Sequence, residues 1–393
     1  MEEKSRSPKS SHMCSTDDVD CVKFCSDLIR FKTITPNDDG IAEYICDFLK
    51  NCGFRTKILE FQSENGPVKN IFARFGNSDE KILGFLGHAD VVPPGDGWDG
   101  DPFQPIEKNG KLYGRGVCDM KSGLAAFCCA VRKFIQKSAG SSFNGSIEIF
   151  ITGDEEIGTR SGTQSLLQWV SEHEKMPHDC LIGEPSSRKK LGDRAYPGHR
   201  GSLNVKATAH GVQGHVASTI GDENSLTKLC AYIMRMKNYP WGAGNGKFPH
   251  TNLEPTLLYT NNYAVNVVPD LSYANMNVRF GDDYSFEQLF DIFQRNNNDN
   301  LELEFNCSGE AYYCDSKILQ KILADSIEDV VGITPEFSGA GGISDGRFMI
   351  THCNIIEFGI VDTTMHQKNE NIAVDDLRNL EAIYLKFLSK YFS

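Results

Sequence analysis

The chain has 393 residues, of which 40% are hydrophobic and 24% are charged. That length suits two domains, and the composition allows a buried core, so a wholly disordered protein is excluded. The formal net charge of −13 argues against nucleic acid as a partner, because phosphate binding needs clustered lysine and arginine. The charge does not exclude an anionic small molecule, since a local pocket can differ in sign from the whole surface.

The N-terminal residues and the cysteines predict a cytoplasmic protein. Residues 1–15 are polar and are predicted to form a disordered tail without the apolar core of a signal peptide. No apolar run in the chain approaches the roughly 18 residues that a membrane span needs. The 13 cysteines are scattered, as free thiols are in a reducing compartment. We therefore expect a cytoplasmic location and no membrane partner.

Helices and buried strands alternate in the first part of the chain. Apolar residues spaced three and four positions apart predict helices over 17–31, with Thr16 or Asp17 as N-cap, and over 41–53. Another helix is predicted over 121–136. Continuous apolar runs predict buried strands over 82–86, 147–151, 180–182 and 355–358. This alternation is typical of a mixed or parallel sheet covered on both faces.

The middle of the chain has a different order of elements. Helices are predicted over 224–236 and 285–294, and strands over 202–210, 256–263, 273–280 and 301–306. The resulting β-α-β-β-α-β order is the ferredoxin-like arrangement. We therefore predict an inserted domain over 200–309, which divides a larger domain into segments 16–199 and 310–393.

A histidine follows the first buried strand directly. His88 comes after the apolar run over 82–86, and Asp90 comes two residues later. Ligands gather beyond the carboxyl ends of strands in α/β sheets, so His88 is well placed to bind a metal ion. Asp90 can then hold the second ring nitrogen and fix the tautomer. Taken alone, a surface or capping role for His88 explains the sequence equally well.

Similar groups stand at four further strand or helix ends. The strand over 147–151 runs into Asp154, Glu155 and Glu156, which repel one another unless a cation lies nearby. An acidic run is usually a solvated face, and Asp119 before the helix over 121–136 is by itself an ordinary N-cap. The remaining positions are Glu184 and His366. The five places together favour a metal centre, and imidazole with carboxylate suits zinc, with cobalt or manganese as alternatives.

The motifs around these residues resemble those of the zinc-dependent aminoacylase and carboxypeptidase superfamily, and most closely its desuccinylase branch. The resemblance runs from about residue 20 to the C-terminus. It implies an α/β fold with a mixed-sheet, zinc-peptidase-like catalytic domain and an inserted ferredoxin-like α+β dimerisation domain. The motifs are Gly87-His88-Ala89-Asp90, Gly114-Arg115-Gly116 with Asp119-Met120-Lys121, Asp154-Glu155-Glu156, Gly183-Glu184-Pro185-Ser186 and Gly341-Gly342-Ile343-Ser344-Asp345-Gly346-Arg347-Phe348.

The resemblance implies two zinc ions per subunit, with cobalt as an alternative. Asp119 matches the carboxylate that bridges the two ions, and the Asp119–Met120 peptide matches one that is cis in the family. The other implied ligands are His88 and Glu184 at one ion and Glu156 and His366 at the other.

The resemblance also implies the groups that act on the substrate. Glu155 matches the general base, and Asp90 matches the residue that orients the metal-binding histidine His88. His215 matches a histidine that reaches the active site of the partner subunit, which implies a homodimer with shared sites. The implied substrate-binding residues are Arg200, Ser202, Asn266 and Arg279; the arginines suit substrate carboxylates.

The implied reaction is hydrolysis of N-succinyl-L,L-2,6-diaminopimelate to succinate and L,L-2,6-diaminopimelate, a step in lysine and cell-wall precursor biosynthesis. Two substrate-binding positions depart from the desuccinylase pattern. Ile343 replaces a threonine and so removes a hydroxyl, and Asp362 adds a charge that favours an ammonium group. An acetylornithine deacetylase or another N-acyl amino acid amidohydrolase is therefore the alternative. A non-catalytic metal-binding protein is a remote alternative, because the base Glu155 is present.

Overall fold

The structure is a computed structural model that describes residues 20–138, 143–157, 162–218 and 223–393. The predicted tail over 1–15 and the predicted N-caps Thr16 and Asp17 lie outside the described residues. Asp20 caps the first described helix, since its side chain accepts a hydrogen bond from the backbone N–H of Val22. Within the described ranges, none of the helices combines the length and the apolar character that crossing a membrane requires.

The helices of the described residues agree with the predicted ones where predictions were made. They are α1 (Cys21–Ile29), α2 (Ile41–Asn51), α3 (Ser122–Ser138), α4 (Thr163–His173), α5 (Ser225–Lys237), α6 (Phe286–Arg295), α7 (Lys317–Val331), α8 (Gly346–Met349) and α9 (Val374–Tyr391). A π-helical turn at Val117–Lys121 precedes α3, and a 3-10 turn at Glu155–Ile157 precedes α4.

The strands are β1 (Arg55–Ser63), β2 (Gly66–Phe75), β3 (Ile82–His88), β4 (Ile106–Lys108), β5 (Lys111–Tyr113), β6 (Ser146–Thr152), β7 (Asp179–Ile182), β8 (Arg194–Ala195), β9 (Gly198–His199), β10 (Gly201–His210), β11 (Gly214–His215), β12 (Asn252–Thr260), β13 (Val267–Val268), β14 (Leu271–Phe280), β15 (Glu302–Gly309), β16 (Tyr312–Tyr313), β17 (Glu336–Phe337), β18 (Asn354–Glu357) and β19 (Asn371–Ala373).

The catalytic domain is built on a six-stranded mixed sheet in the order β1-β2-β6-β3-β7-β18. The four strands predicted from apolar runs, β6, β3, β7 and β18, are adjacent and parallel. Successive side chains point to opposite faces of a strand, so Phe85 packs with α3 and α9 while Leu86 packs with α4. Both faces of the sheet are therefore covered, as predicted.

The parallel strands end at one edge of the sheet, and the backbone holds their ends together. The N–H of Ala89 donates to the carbonyl of Thr152 over 2.8 Å, and the N–H of Gly183 donates to the carbonyl of Leu86 over 3.1 Å. The residues that follow β3, β6 and β7 therefore emerge side by side. This edge is where His88, Glu155, Glu156 and Glu184 lie in the sequence.

The middle segment forms a four-stranded antiparallel sheet in the order β12-β14-β10-β15, with α5 and α6 packed against it. That strand order is the ferredoxin-like one. β12 runs over Asn252–Thr260, whereas the sequence predicts this strand over 256–263. Pro255 lies inside it, on an edge strand whose ladder shifts register after that residue, a position where proline is tolerated. The segments that enter and leave this sheet run together, since β9 pairs with β16.

Candidate metal centre

The first group of ligand atoms lies at the end of β3. The ring of His88 is buried, and its Nε2 lies 2.9 Å from Oδ1 of Asp119 and 3.7 Å from Oε1 of Glu184. One ligand atom from each residue lies within 4.8 Å of the other two. These are the three residues that the family resemblance implies for one metal ion.

The second group shares Asp119 with the first. Oδ2 of Asp119 lies 3.1 Å from Nε2 of His366, and the same nitrogen lies 3.1 Å from Oε2 of Glu156. Among the described residues, Asp119 is the member common to both groups. One carboxylate oxygen faces each histidine, which is the arrangement that a bridging ligand needs.

The turn that carries Asp119 is shaped by close packing at two motif glycines. The Asp119–Met120 peptide is cis, as the resemblance implies. The side chain of Met120 lies against Gly87 and Gly183, and a Cβ at either glycine would come within 2.7 Å of its Cε. Both strand ends therefore need glycine to let this turn approach the sheet edge.

Asp90 has more partners than the sequence predicts. The Nδ1 of His88 is 3.1 Å from the backbone carbonyl of Asp90 and 3.4 Å from its carboxylate. The carboxylate also accepts hydrogen bonds from the backbone N–H groups of Glu155 and Glu156, both at 3.2 Å, and from the hydroxyl of Thr35 at 2.6 Å. Asp90 thus joins the strand end that carries His88 to the turn that carries both glutamates.

The two imidazoles of the cluster lie among carboxylates, which shifts their pKa values upward. Hydrogen bonds to Asp119 and Glu156 raise the pKa of His366 to about 10. Burial opposes a charged His88, but the charge of Glu184 and a hydrogen bond to Asp119 hold the pKa of His88 well above its ordinary value. Burial likewise opposes ionisation of Asp119, yet hydrogen bonds from His366 and His88 keep its pKa below the ordinary range.

Two other carboxyl groups of the cluster have raised pKa values. Burial and the charge of Asp345 raise the pKa of Glu155 well above its ordinary value, and burial and the charge of Asp119 do the same for Glu184. Burial and neighbouring carboxylates both oppose ionisation of these two groups, so a positive charge beside them would favour their ionised forms. Divalent cations supply such a charge, and the donors are imidazole and carboxylate, which zinc, cobalt and manganese accept.

The predicted substrate arginines lie on neighbouring strands of the inserted sheet. Ser202 on β10 pairs with Arg279 on β14, and Arg200 precedes β10. Nη1 of Arg200 donates to Oδ1 of Asn252 over 2.8 Å, and Asn252 pairs with Arg279 across β12 and β14. Burial lowers the pKa of Arg200, and the charge of Arg279 lowers it further. Within the described residues, the buried Nε of Arg200 and Nη1 of Arg279 find no hydrogen-bond partner. Both are guanidinium donors, the kind of group that pairs with carboxylates.

The other predicted substrate residues fall into separate places. His215 on β11 and Asn266 lie together, because β11 pairs with β13 and the N–H of Val216 donates to the carbonyl of Asn266. Ile343 is half-buried in the glycine-rich motif. Burial raises the pKa of Asp362, and the charges of Arg188 and Arg194 oppose that shift. An ammonium group would therefore meet positive charge beside Asp362.

Asp345 is a candidate site residue to which the sequence assigns no role. It is buried and accepts a 2.5 Å hydrogen bond from the hydroxyl of Thr163. Among the charges that act on the carboxyl of Glu155, that of Asp345 raises its pKa most. The only sequence feature that indicated a role for Asp345 was its position in the glycine-rich motif over 341–348. That feature could not reveal the interaction, because the motif and Glu155 are almost two hundred residues apart.

Glu357 at the end of β18 is a second group to which the sequence assigns no role. Its buried carboxylate accepts hydrogen bonds from His199 at 2.5 Å, from Tyr312 at 3.3 Å and from Ser344. His199 and Tyr312 belong to β9 and β16, the strands that lead into and out of the inserted domain. One carboxylate therefore anchors both connections to the catalytic sheet.

Comparison with known proteins identifies the family. The profile described as Peptidase family M20/M25/M40 matches residues 84–390. The succinyl-diaminopimelate desuccinylase of Pelagibacter ubique (strain HTCC1062) is 36% identical over 381 residues, covering 94% of this chain and 98% of that protein. This chain belongs to peptidase family M20/M25/M40. The superfamily and desuccinylase resemblance predicted from the motifs is thereby confirmed.

Solved M20 structures share the fold. The M20 family metallo-carboxypeptidase Sso-CP2 from Sulfolobus solfataricus has a TM-score of 0.77 at 16% identity, covering 95% of this chain and 100% of that chain. The Bacillus subtilis YXEP protein, a dinuclear metal binding peptidase from the M20 family, has a TM-score of 0.66 at 12% identity, covering 93% of this chain and 96% of that chain. These likenesses confirm the predicted M20-type α/β fold, while the roles of individual residues stay predictions.

Proposed function

We propose that this M20 protein hydrolyses the succinyl amide of N-succinyl-L,L-2,6-diaminopimelate, releasing succinate and L,L-2,6-diaminopimelate. The observation that carries the reaction type is the pair of ligand groups that share Asp119. The substrate is supported by the nearly full-length match to a relative named succinyl-diaminopimelate desuccinylase. The protein would therefore act in the biosynthesis of lysine and of a cell-wall precursor.

We propose zinc as the native metal, two ions per subunit, with cobalt as a functional substitute. His88, Asp119 and Glu184 would hold one ion, and Asp119, Glu156 and His366 the other. Bound divalent ions lower the pKa of water from about 15.7 to about 7 and polarise an amide carbonyl.

Glu155 is the proposed general base. Its carboxylate would accept a proton from the attacking water and later donate that proton to the leaving amine. Asp90 restricts where Glu155 can lie, because its carboxylate accepts the backbone N–H of that residue. Water adds to the amide carbon, the carbon–nitrogen bond breaks, and the nitrogen leaves as an amine.

The two arginines on the inserted sheet are the proposed partners of substrate carboxylates. If so, Arg279→Met should raise KM much more than it lowers kcat, because a ground-state contact is lost. A hydrogen bond to a charged group contributes about 1.5–3 kcal/mol, which corresponds to a roughly 10- to 100-fold higher KM. Steady-state kinetics of the purified variant measure this. Arg295→Met on α6, an exposed arginine paired with Asp291, is the matched control and should leave KM unchanged.

We also propose a homodimer formed through the inserted domain. β12 is an edge strand, and its side chains Leu257, Leu258 and Tyr259 are about half exposed. Exposed apolar edge strands favour pairing with a second chain. His215 would then reach the active site of the other subunit, where it would stabilise the oxyanion.

Shared sites make a mixed dimer informative. Variants Glu155→Ala and His215→Ala should each be nearly inactive alone, and mixing them after subunit exchange should restore roughly a quarter of the wild-type activity. The reason is that half of the dimers are mixed and each mixed dimer has one intact site. A mixture that stays inactive while mass analysis shows mixed dimers would contradict the sharing of His215.

The substrate assignment is tested by measuring amine release from N-succinyl-L,L-diaminopimelate and from N-acetylornithine side by side. The zinc-loaded protein should prefer the succinylated substrate, and a chelator should abolish that activity. Preference for acetylornithine would overturn the substrate assignment and direct attention to Ile343 and Asp362. Activity that survives complete removal of metal would overturn the metal-dependent reaction itself.

A further inference from the structure

Glu370 is a fully buried carboxylate next to the turn that carries Asp119. Its Oε2 accepts hydrogen bonds from Nη1 of Arg115 at 2.6 Å and from the backbone N–H of Gly116 at 2.9 Å. Its Oε1 accepts the N–H of Cys118 at 2.6 Å and the N–H of Asp119 itself at 3.2 Å. The backbone on the N-terminal side of Asp119 therefore takes its shape from one side chain.

The same residue belongs to the loop that carries His366. Glu370 follows His366 by four positions and leads into β19, which pairs with β5. The carbonyl of Glu370 accepts the N–H of Gly114 at 3.0 Å. The loop closes on itself through Thr364 and Asn371, whose side-chain and backbone groups exchange hydrogen bonds of 2.6 and 3.0 Å. His366 is about half exposed, so this loop is its main support.

The partner of Glu370 is also fixed in place. Arg115 is buried, donates from Nη2 to the carbonyl of Pro94 at 3.3 Å, and lies over the ring of Trp98 at 5.3 Å. A buried carboxylate is costly unless it is paired and hydrogen-bonded, and here both oxygens are satisfied. Such a group has little freedom to move, so it can define the position of the segments attached to it.

We propose that Glu370 is a positioning residue that sets the distance between Asp119 and His366 and thereby the affinity for the ion they share. Glu370 touches no predicted ligand oxygen or ring nitrogen among its hydrogen bonds with the described residues, so it acts through backbone. This inference rests on the proposed metal centre but not on the proposed substrate. Asp119 belongs to both ligand groups, whereas His366 belongs to one. Loss of Glu370 should therefore weaken the binding of both ions, and the binding of the ion at Glu156 and His366 should weaken more.

The test is a cobalt titration of metal-stripped full-length protein, in which binding is monitored by calorimetry and by visible absorbance. Glu370→Gln should bind the two ions about 10- to 100-fold more weakly, the range found when groups that orient metal ligands are removed. Glu381→Gln is the matched control, because Glu381 on α9 is also a buried carboxylate. It pairs with Lys133 on α3 at 2.7 Å. This variant should bind both ions as the wild-type protein does.

Three outcomes are distinguishable. Weaker binding in Glu370→Gln but not in Glu381→Gln supports the inference. The inference is overturned if Glu370→Gln binds both ions with wild-type affinity, or if the control loses affinity equally. If the wild-type protein does not bind two ions, the proposed metal centre is overturned instead. If Glu370→Gln does not fold, the double variant Arg115→Met/Glu370→Gln leaves no buried charge unpaired, and its cobalt affinity decides in the same way.

Discussion

The variant Glu155→Gln is expected to keep two metal ions and to lose nearly all hydrolytic activity. Among the described residues, Glu155 belongs to neither of the two ligand groups, yet the charges of Asp345, His88 and Asp119 act on its carboxyl. Glutamine keeps the shape and cannot accept the proton. General acid–base groups contribute about 10²- to 10⁴-fold to rate, and kcat should fall within or beyond that range. Elemental analysis and succinate release, measured on the same sample, check both parts.

An exposed glutamate provides the control for this substitution. Glu60 lies on β1 with its side chain exposed to solvent, so Glu60→Gln should keep wild-type kcat and KM. Near-wild-type kcat in Glu155→Gln would show that another group takes the proton. Asp345 would then be the next carboxyl to test, because its charge acts on the carboxyl of Glu155.

Removal of the shared ligand should have a larger effect on metal content than removal of either histidine. Asp119→Ala takes one donor from each ligand group and should bind neither ion tightly, whereas His366→Ala should keep the ion held by His88, Asp119 and Glu184. Metal ions supply several kcal/mol of transition-state stabilisation, so activity in Asp119→Ala should fall by at least about a thousandfold. Metal content after extensive dialysis distinguishes the variants.

Equal metal content in the two variants would contradict the bridging role of Asp119. A matched control is Asp101→Ala, because Asp101 is an exposed aspartate in the loop before β4. It should bind two ions as the wild-type protein does. Circular dichroism must show that Asp119→Ala is folded, since a buried carboxylate is being replaced.

The sequence was most informative where an apolar strand ran into a charged residue. β3, β6, β7 and β18 were all predicted from continuous apolar runs, and the parallel pairing of these strands places their ends at one edge. His88, Glu156 and Glu184 could therefore be predicted as neighbours from pattern alone. Asp119 before a helix and His366 after a strand belonged to the same pattern of charged groups at element ends. The bridging role of Asp119 and the assignment of His366 to the second ion depended on the family motifs.

Other features depended on contacts that no local pattern encodes. The β1–β2 hairpin and helices α7 and α9 were not predicted, although α9 packs closely against α3. The hydrogen bonds from Cys118 to Glu370 and from His199 to Glu357 each join segments that are more than a hundred residues apart in the chain. The sequence does not distinguish a buried carboxylate from an exposed one, so only the fold reveals which carboxylates are buried.

Hydrolysis by this protein should depend on the metal ions that the paired ligand groups bind. The most direct measurement is a zinc titration of the stripped protein in which bound zinc and succinate release are followed together. We expect binding to saturate at two ions per subunit and activity to appear with them. Saturation at another number, or full activity before zinc is added, would contradict the account.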